Sequence, residues 1–241
     1  MATAGTATRN VVIQRLTDSR LFDQVSDVIL RCFCEPGGEP VNDILGITSS
    51  DFQHMIGASV SPMYQEGACF VAMDIGTGRV AGAVVGGDMV PLPGRSSEDP
   101  SVFDLGKLRD PMDLIEAVEG IYLPKRGLAP GNPTRRRGVV FHHWMFVVHP
   151  DYRGQRLLER LLVAQLGWAK TAGYLYSVAE CTSRYSWASM QRLGAVEQAR
   201  INYATWRNRD GVLSLAGIPP PHTACVCAEV DLVGWKAPVE R

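Results

Sequence analysis

No apolar run in this 241-residue chain approaches the roughly 18 residues that a membrane-crossing helix needs, so no membrane span is expected. Charge of one sign is missing too. With 24 Lys and Arg against 25 Asp and Glu, the formal net charge is -1, and no global field favours nucleic acid or an anionic membrane. Zinc-type spacing is also absent. Six cysteines are present, at Cys32, Cys34, Cys69, Cys181, Cys225 and Cys227, but none forms a C-x2-C pair. The pairs 32/34 and 225/227 suit one face of a strand, or a turn. Free buried thiols and no metal are therefore expected. Residues 1–10 are small and polar and lack the apolar stretch of a secretory signal. They read as a flexible tail ahead of one domain over residues 11–241, in a cytoplasmic protein.

What the chain does carry is an interleaving of strand and helix signals. Val11 to Leu16 alternates as a strand. Ser19 to Phe33 bears a helical stripe at Leu21, Val25, Val28, Ile29 and Cys32, broken by Pro36-Gly37-Gly38. A second helix, capped by Ser50 or Asp51, is expected to run to about Ser59. Gly76-Thr77-Gly78 joins strands at Cys69–Asp74 and Arg79–Gly87 as a hairpin. An insertion over about 89–138 holds a helix near Leu108–Ile121 between a Pro/Gly/Ser-rich loop and a basic loop, a combination that often forms lids. Then follow a strand at Val139–His149, a helix at Gln155–Thr171 ended by Gly173, a strand at Tyr174–Cys181, and a short helix at Tyr185–Leu193. Two last strands lie within Ala195–Trp206 and Thr223–Val233. This alternation predicts an α/β domain around a mixed sheet.

The densest signal runs from His142-His143-Trp144-Met145-Phe146-Val147-Val148-His149 through Pro150-Asp151-Tyr152-Arg153-Gly154-Gln155-Arg156-Leu157-Leu158. It reads as an apolar strand, a tight turn and a helix start. The free amides of a helix N-terminus, a glycine permitting close approach and two arginines make an anion cradle. The residue types alone fit a solvated basic turn equally well.

The segment Val148-His149-Pro150-Asp151-Tyr152-Arg153-Gly154-Gln155 resembles the acetyl-CoA-binding motif of the GNAT superfamily of N-acetyltransferases. The resemblance implies the GNAT fold, an α/β (α+β) domain with one mixed, mostly antiparallel sheet of about seven strands flanked by helices. It implies acetyl-CoA as cofactor, with the backbone of Phe146, Val147 and Val148 pairing with the pantetheine arm. Arg153, Gly154, Gln155, Arg156, Leu157 and Leu158 would then surround the pyrophosphate. Arg156 and Leu158 depart from the pattern, which has small residues there.

Acetyl transfer to an amine needs a base, donors for an oxyanion and an acid for the leaving thiolate. On residue types alone, Glu39-Pro40-Val41-Asn42 is a carboxylate beside a rigid turn, and Thr182 or Ser183 is a helix cap. Both segments resemble the insect arylalkylamine and dopamine N-acetyltransferases. That resemblance implies Glu39 as general base, and the hydroxyls of Thr182 and Ser186 in substrate binding and proton transfer. Many superfamily members have a tyrosine as thiolate acid where this chain has Met190, leaving Ser186, then Tyr185, as candidates. His142 and His143 should face opposite sides of their strand, one of them pointing with Trp144 and Phe146. His142 matches a proton-relay position of the vertebrate enzymes, and a structural histidine is the plainer reading. His222 matches a Pro-His pair of the insect enzymes, or simply turns the chain.

Met63, Tyr64, Trp144 and Tyr185 are candidate walls for an amine pocket. Arg135-Arg136-Arg137 offers a contact for the adenosine 3′-phosphate. The expected protein is an acetyl-CoA-dependent N-acetyltransferase, monomeric or homodimeric, acting on a small primary amine of arylalkylamine or polyamine type by direct attack in a ternary complex. The alternatives are a peptide or antibiotic amine as acceptor, an acyl-CoA-binding module without turnover, and a generic nucleotide-phosphate binder.

Overall fold

Seven strands hydrogen-bond into one sheet: β1 (Val11–Arg15), β2 (Phe70–Asp74), β3 (Arg79–Asp88), β4 (Val140–Val148), β5 (Tyr176–Cys181), β6 (Val196–Asn202) and β7 (Ala224–Asp231). The computed structural model describes residues 10–91 and 105–238. The strand order is β1-β2-β3-β4-β5-β7-β6, antiparallel throughout except between β4 and β5. The helices are α1 (Phe22–Cys34), α2 (Pro40–Ile44), α3 (Ser49–Gln65), α4 (Arg109–Tyr122), α5 (Leu157–Thr171) and α6 (Arg184–Arg192). None among the described residues is long and apolar enough to cross a membrane.

Apolar periodicity explains which faces are covered. The α1 stripe Val25, Val28, Ile29 and Cys32 is buried with Val80, Ala83 and Val85 of β3 and Met145 and Val147 of β4. On the opposite face, Leu157, Leu161, Leu162 and Leu166 of α5 share a core with Ala81 and Val84 of β3. Cys32 and Cys34 lie on helix α1 rather than on a strand or turn, whereas Cys225 and Cys227 share one buried face of β7. All six thiols are free.

The helix of the insertion is a layer of the core. Leu114, Val118 and Tyr122 of α4 are fully buried against Val178, Cys225 and Cys227. Tyr122 donates to Glu229 Oε2 at 2.7 Å, and Arg126 pairs with the same carboxylate. The lid reading therefore fails for α4, and residues 92–104 of the insertion lie outside the described residues, as does most of the N-terminal tail.

Two features of β4 create the site. First, β4 and β5 pair only over Val140–His142 and Tyr176–Val178. β4 then continues against β3 and β5 against β7, so the two part company. Second, the β3–β4 register shifts: Val85 faces Met145 and Gly86 faces His143, leaving Trp144 as the extra residue of a bulge. The bulge changes the phase of alternation. Phe141 lies on the α5 side, Trp144 and Met145 both on the α1 side, and Phe146 back on the α5 side. His142 does point with Trp144, their rings 5.4 Å apart, but not with Phe146, correcting simple alternation. His143 is buried on the α5 side, with Nδ1 2.6 Å from Gln165 Oε1, and burial lowers its pKa to about 4.

Candidate active site

Where β4 and β5 diverge, a cleft of about 790 Å³ opens between the two helix layers. One end is the turn into α5. His149 accepts from the Asp151 amide at 3.2 Å, and Tyr152 is anchored by its hydroxyl to Asp74 Oδ2 at 2.7 Å. Gly154 (φ 79°) and Arg156 (φ 54°) then both adopt left-handed backbone. The bond Arg160 N–H to Arg156 O, 3.1 Å, opens α5, and no side chain caps the helix. The amides of Leu157, Leu158 and Glu159 thus have no helical acceptor, and all three residues line the cleft with Arg153, Gly154 and Arg156. Gln155, expected in this cradle, is not among the wall residues. Of the six expected here, the other five converge.

Arg156 is the one non-glycine residue with positive φ among the described residues. A Cβ in that region costs roughly 1–2 kcal/mol. Arg156→Gly is expected to raise the melting temperature of the free protein by about 2–4 °C, the shift for roughly 1 kcal/mol in a domain of this size. Calorimetry checks it, and a lowered melting temperature would show that the guanidinium outweighs the strain.

At the other end lies Glu39. Its Oε2 accepts from the Asn42 amide at 2.7 Å, making Glu39 the N-cap of α2, with Pro40 at the first helical position. The sequence reading took this segment as a rigid turn and missed the helix. Asn42 Nδ2 donates to Phe33 O at 3.2 Å and so ties α2 to the end of α1. Glu39 Oε1 is buried without a hydrogen-bond partner of ordinary geometry. Burial raises the Glu39 pKa, opposed by the Thr182 hydroxyl and by the amides of Asn42 and Val41.

Thr182 and Ser186 both border the cleft, but not as one helical face, because α6 begins only at Arg184. Thr182 follows the last residue of β5, its carbonyl accepting from the Tyr203 hydroxyl at 2.5 Å. Ser183 is the helix cap. Its Oγ accepts from the Ser186 amide at 3.0 Å, and the Ser186 hydroxyl accepts from the Ser183 amide at 3.2 Å, a reciprocal capping box. Tyr185, 67% exposed, meets His222 edge-on at 5.3 Å; His222 Nδ1 accepts from the Arg184 amide, and both rings border the cleft. Met190 is fully buried.

Trp144, Phe146, Val147 and Val148 line the cleft, but His142 stands behind its wall. Nε2 of His142 lies 2.6 Å from Oε2 of Glu180, which does line the cleft. Glu119, His142 and Glu180 bring potential ligand atoms within 4.8 Å of one another. Burial pushes the His142 pKa down, but the charge and hydrogen bond of Glu180, with the charge of Glu119, win and raise it.

Other expected positions lie elsewhere. The Tyr64 hydroxyl donates to Thr17 O at 2.7 Å and its ring meets Phe22 at 4.6 Å, outside the cleft. Met63 packs into the α1–α3 core. Arg137 is held by Glu66 at 2.9 Å and by Val90 O at 2.6 Å, and none of Arg135, Arg136 and Arg137 lines the cleft. Sequence reasoning missed Glu180 and the apolar walls Phe33, Phe52, Met55, Met112 and Ile115. A lone carboxylate in the otherwise uncharged strand Tyr176–Cys181 was the available signal for Glu180.

No family model and no curated protein sequence matches the chain. Solved structures match it by shape. Arylalkylamine N-acetyltransferase 2 from Aedes aegypti superposes with a TM-score of 0.74 at 16% identity, over 92% of this chain and 99% of that one. The chain has the GNAT fold. A polyamine N-acetyltransferase of Drosophila melanogaster, which catalyses formation of N-acetylagmatine, gives 0.68 at 21% identity over 92% and 100% of the two chains. The C-terminal condensation domain of Ebony, in complex with beta-alanyl-dopamine, gives 0.71 at 14% over 92% and 98%. The GNAT fold thus hosts more than one acyl acceptor, and the acceptor must be argued from the cleft.

Proposed function

We propose that the protein is an acetyl-CoA-dependent N-acetyltransferase acting on a small primary amine by direct transfer. One observation carries this reading. A single cleft has an uncapped, arginine-flanked helix N-terminus at one end and a buried carboxylate with an unpartnered oxygen, beside hydroxyls, at the other. Between them runs the edge of β4 that β5 leaves unpaired, over Phe146, Val147 and Val148, which suits the amide-bearing pantetheine arm as an added strand. The α5 amides and Arg153 suit the pyrophosphate.

Acetyl-CoA supplies the activated acetyl thioester. Glu39 takes a proton from the acceptor ammonium and frees the nitrogen lone pair. Its raised pKa makes that uphill transfer less costly. Free amides at the diverging end of β4 donate to the oxygen on which charge develops. As the C–S bond breaks, the nitrogen gives up its second proton, and the Ser186 hydroxyl, with Tyr185 as second candidate, protonates the departing sulfur and is reprotonated by that released proton, while Thr182 orients the nitrogen beside Glu39. The first turns of α4, through Pro111, Met112 and Ile115, form a wall where a peptide acceptor would want an open groove, which favours a small amine.

The test is release of free thiol from acetyl-CoA with a panel of arylalkylamines, diamines, polyamines and short peptides. Turnover is expected with small amines only. CoA-dependent thermal stabilisation without product from any amine would make the protein a binding module instead.

A further inference from the structure

The first turn of α5 carries an acid exactly where the cleft would take phosphates. Glu159 is the third residue of that helix, so its free amide and its carboxylate belong to one turn, and Glu159 lines the cleft. The amide attracts an anion and the carboxylate repels one. In the free protein an acid in the first turn suits the helix dipole. It opposes a pyrophosphate, and the Glu159 side chain is only 12% exposed, so little water screens it.

A second helix supplies the counter-charge. Arg192, in the last turn of α6, donates from Nε to Glu159 Oε1 at 2.8 Å and from Nη2 to the same oxygen. Nη2 also donates to Ser189 Oγ at 3.2 Å, three residues back on α6. Arg192 and Ser189 line the cleft too. The guanidinium is therefore fixed between α5 and α6, half exposed, against the acid. A surface ion pair of this kind adds little to stability. Its position, on the wall beside the turn that suits pyrophosphate, gives it a larger effect on an anionic ligand than on the fold.

We propose that Arg192 is a positioning residue for the cofactor that acts through Glu159. It cancels the acid built into the phosphate-binding turn, and the pair sets how tightly CoA is held. This rests on the acetyl-CoA reading of the cleft. Without Arg192 the uncompensated carboxylate repels the pyrophosphate. Without Glu159 the guanidinium is surplus positive charge, and CoA binds more tightly. With neither, the two effects offset each other.

The experiment measures Kd by calorimetry at low ionic strength for CoA, and by displacement of CoA for pantetheine, which has the arm without the phosphates. Arg192→Gln is expected to weaken CoA about tenfold and to leave pantetheine within about twofold. Arg192→Lys, which keeps the charge, should stay within about threefold of native for CoA. Glu159→Gln should tighten CoA several-fold while the melting temperature of the free protein falls, because α5 loses an acid from its first turn. The double variant should return to within about threefold of native, the coupling that a double-mutant cycle isolates. Unchanged CoA affinity in Arg192→Gln, a loss that persists in the double variant, an equal loss for pantetheine, or weaker CoA binding in Glu159→Gln would each overturn the proposal. The Glu159→Gln arm stands alone if Arg192→Gln does not fold. A native protein that binds neither ligand refutes the acetyl-CoA reading itself, whereas native CoA binding with unmoved variants refutes only the role of the pair.

Discussion

Glu39→Gln is expected to lower kcat/KM for the best amine by roughly 10²- to 10⁴-fold, the usual worth of a positioned general base. Gln is the informative replacement because its carbonyl oxygen can still accept from the Asn42 amide, so the α2 cap survives and the loss reports on proton transfer. CoA affinity should be retained, since the α5 turn lies at the other end of the cleft. The pH profile carries the sharper signature. Burial raises the Glu39 pKa above the ordinary 4.5, and the base works only when ionised. Native activity should therefore fall as pH drops through that raised pKa, and this limb should vanish in the variant. Turnover retained with an unchanged profile would remove Glu39 as base. The same burial has an opposite effect on stability. A carboxyl whose folded pKa is raised contributes most below its unfolded pKa, and that contribution is lost as pH rises through the folded value.

Gly86→Ala is expected to cost about 3 kcal/mol, the upper part of the range for overpacking a core, and so to lower the melting temperature by roughly 6–12 °C. A Cβ at residue 86 would lie 2.5 Å from the His142 carbonyl oxygen, 2.8 Å from Phe141 Cζ and 3.0 Å from Gln165 Nε2. The first is backbone of the paired strand and cannot swing away. Gly86 also sits opposite the β4 bulge, so whatever relief the sheet finds moves Trp144 and the strand edge that lines the cleft. Loss of CoA-dependent stabilisation should accompany the loss of stability. A melting temperature within a degree of the native value would mean that the bulge is softer than its contacts indicate. Gly87→Ala is the internal control, because its Cβ would meet only the Glu66 and Met63 side chains, at 3.2 Å or more.

Local patterns determined much of this protein in advance. The stripe Val25, Val28, Ile29, Cys32 buries one face of α1 because helical periodicity is a property of consecutive residues, and Leu157, Leu161 and Leu162 do the same for α5. The anion cradle was legible for the same reason. Arg153, Gly154 and the start of α5 are neighbours in the chain, and a helix N-terminus presents free amides wherever it occurs. Glu39, Thr182 and Ser186 were found through resemblance, and the fold brings all three to one cleft. Tertiary structure decided what depends on register. The bulge at Trp144 put two consecutive side chains on one face, which no alternation rule anticipates. Tertiary packing also bonds Tyr64 to Thr17, away from the cleft, and the turn into α5 holds Arg156 in a backbone region that its residue type disfavours. Glu119, His142 and Glu180 come from α4, β4 and β5, and nothing in the spacing of 119, 142 and 180 brings them within 4.8 Å. Their meeting needs a three-residue parallel pairing of β4 with β5 and a helix packed over the seam, because electrostatic partners are chosen by distance in space and not along the chain.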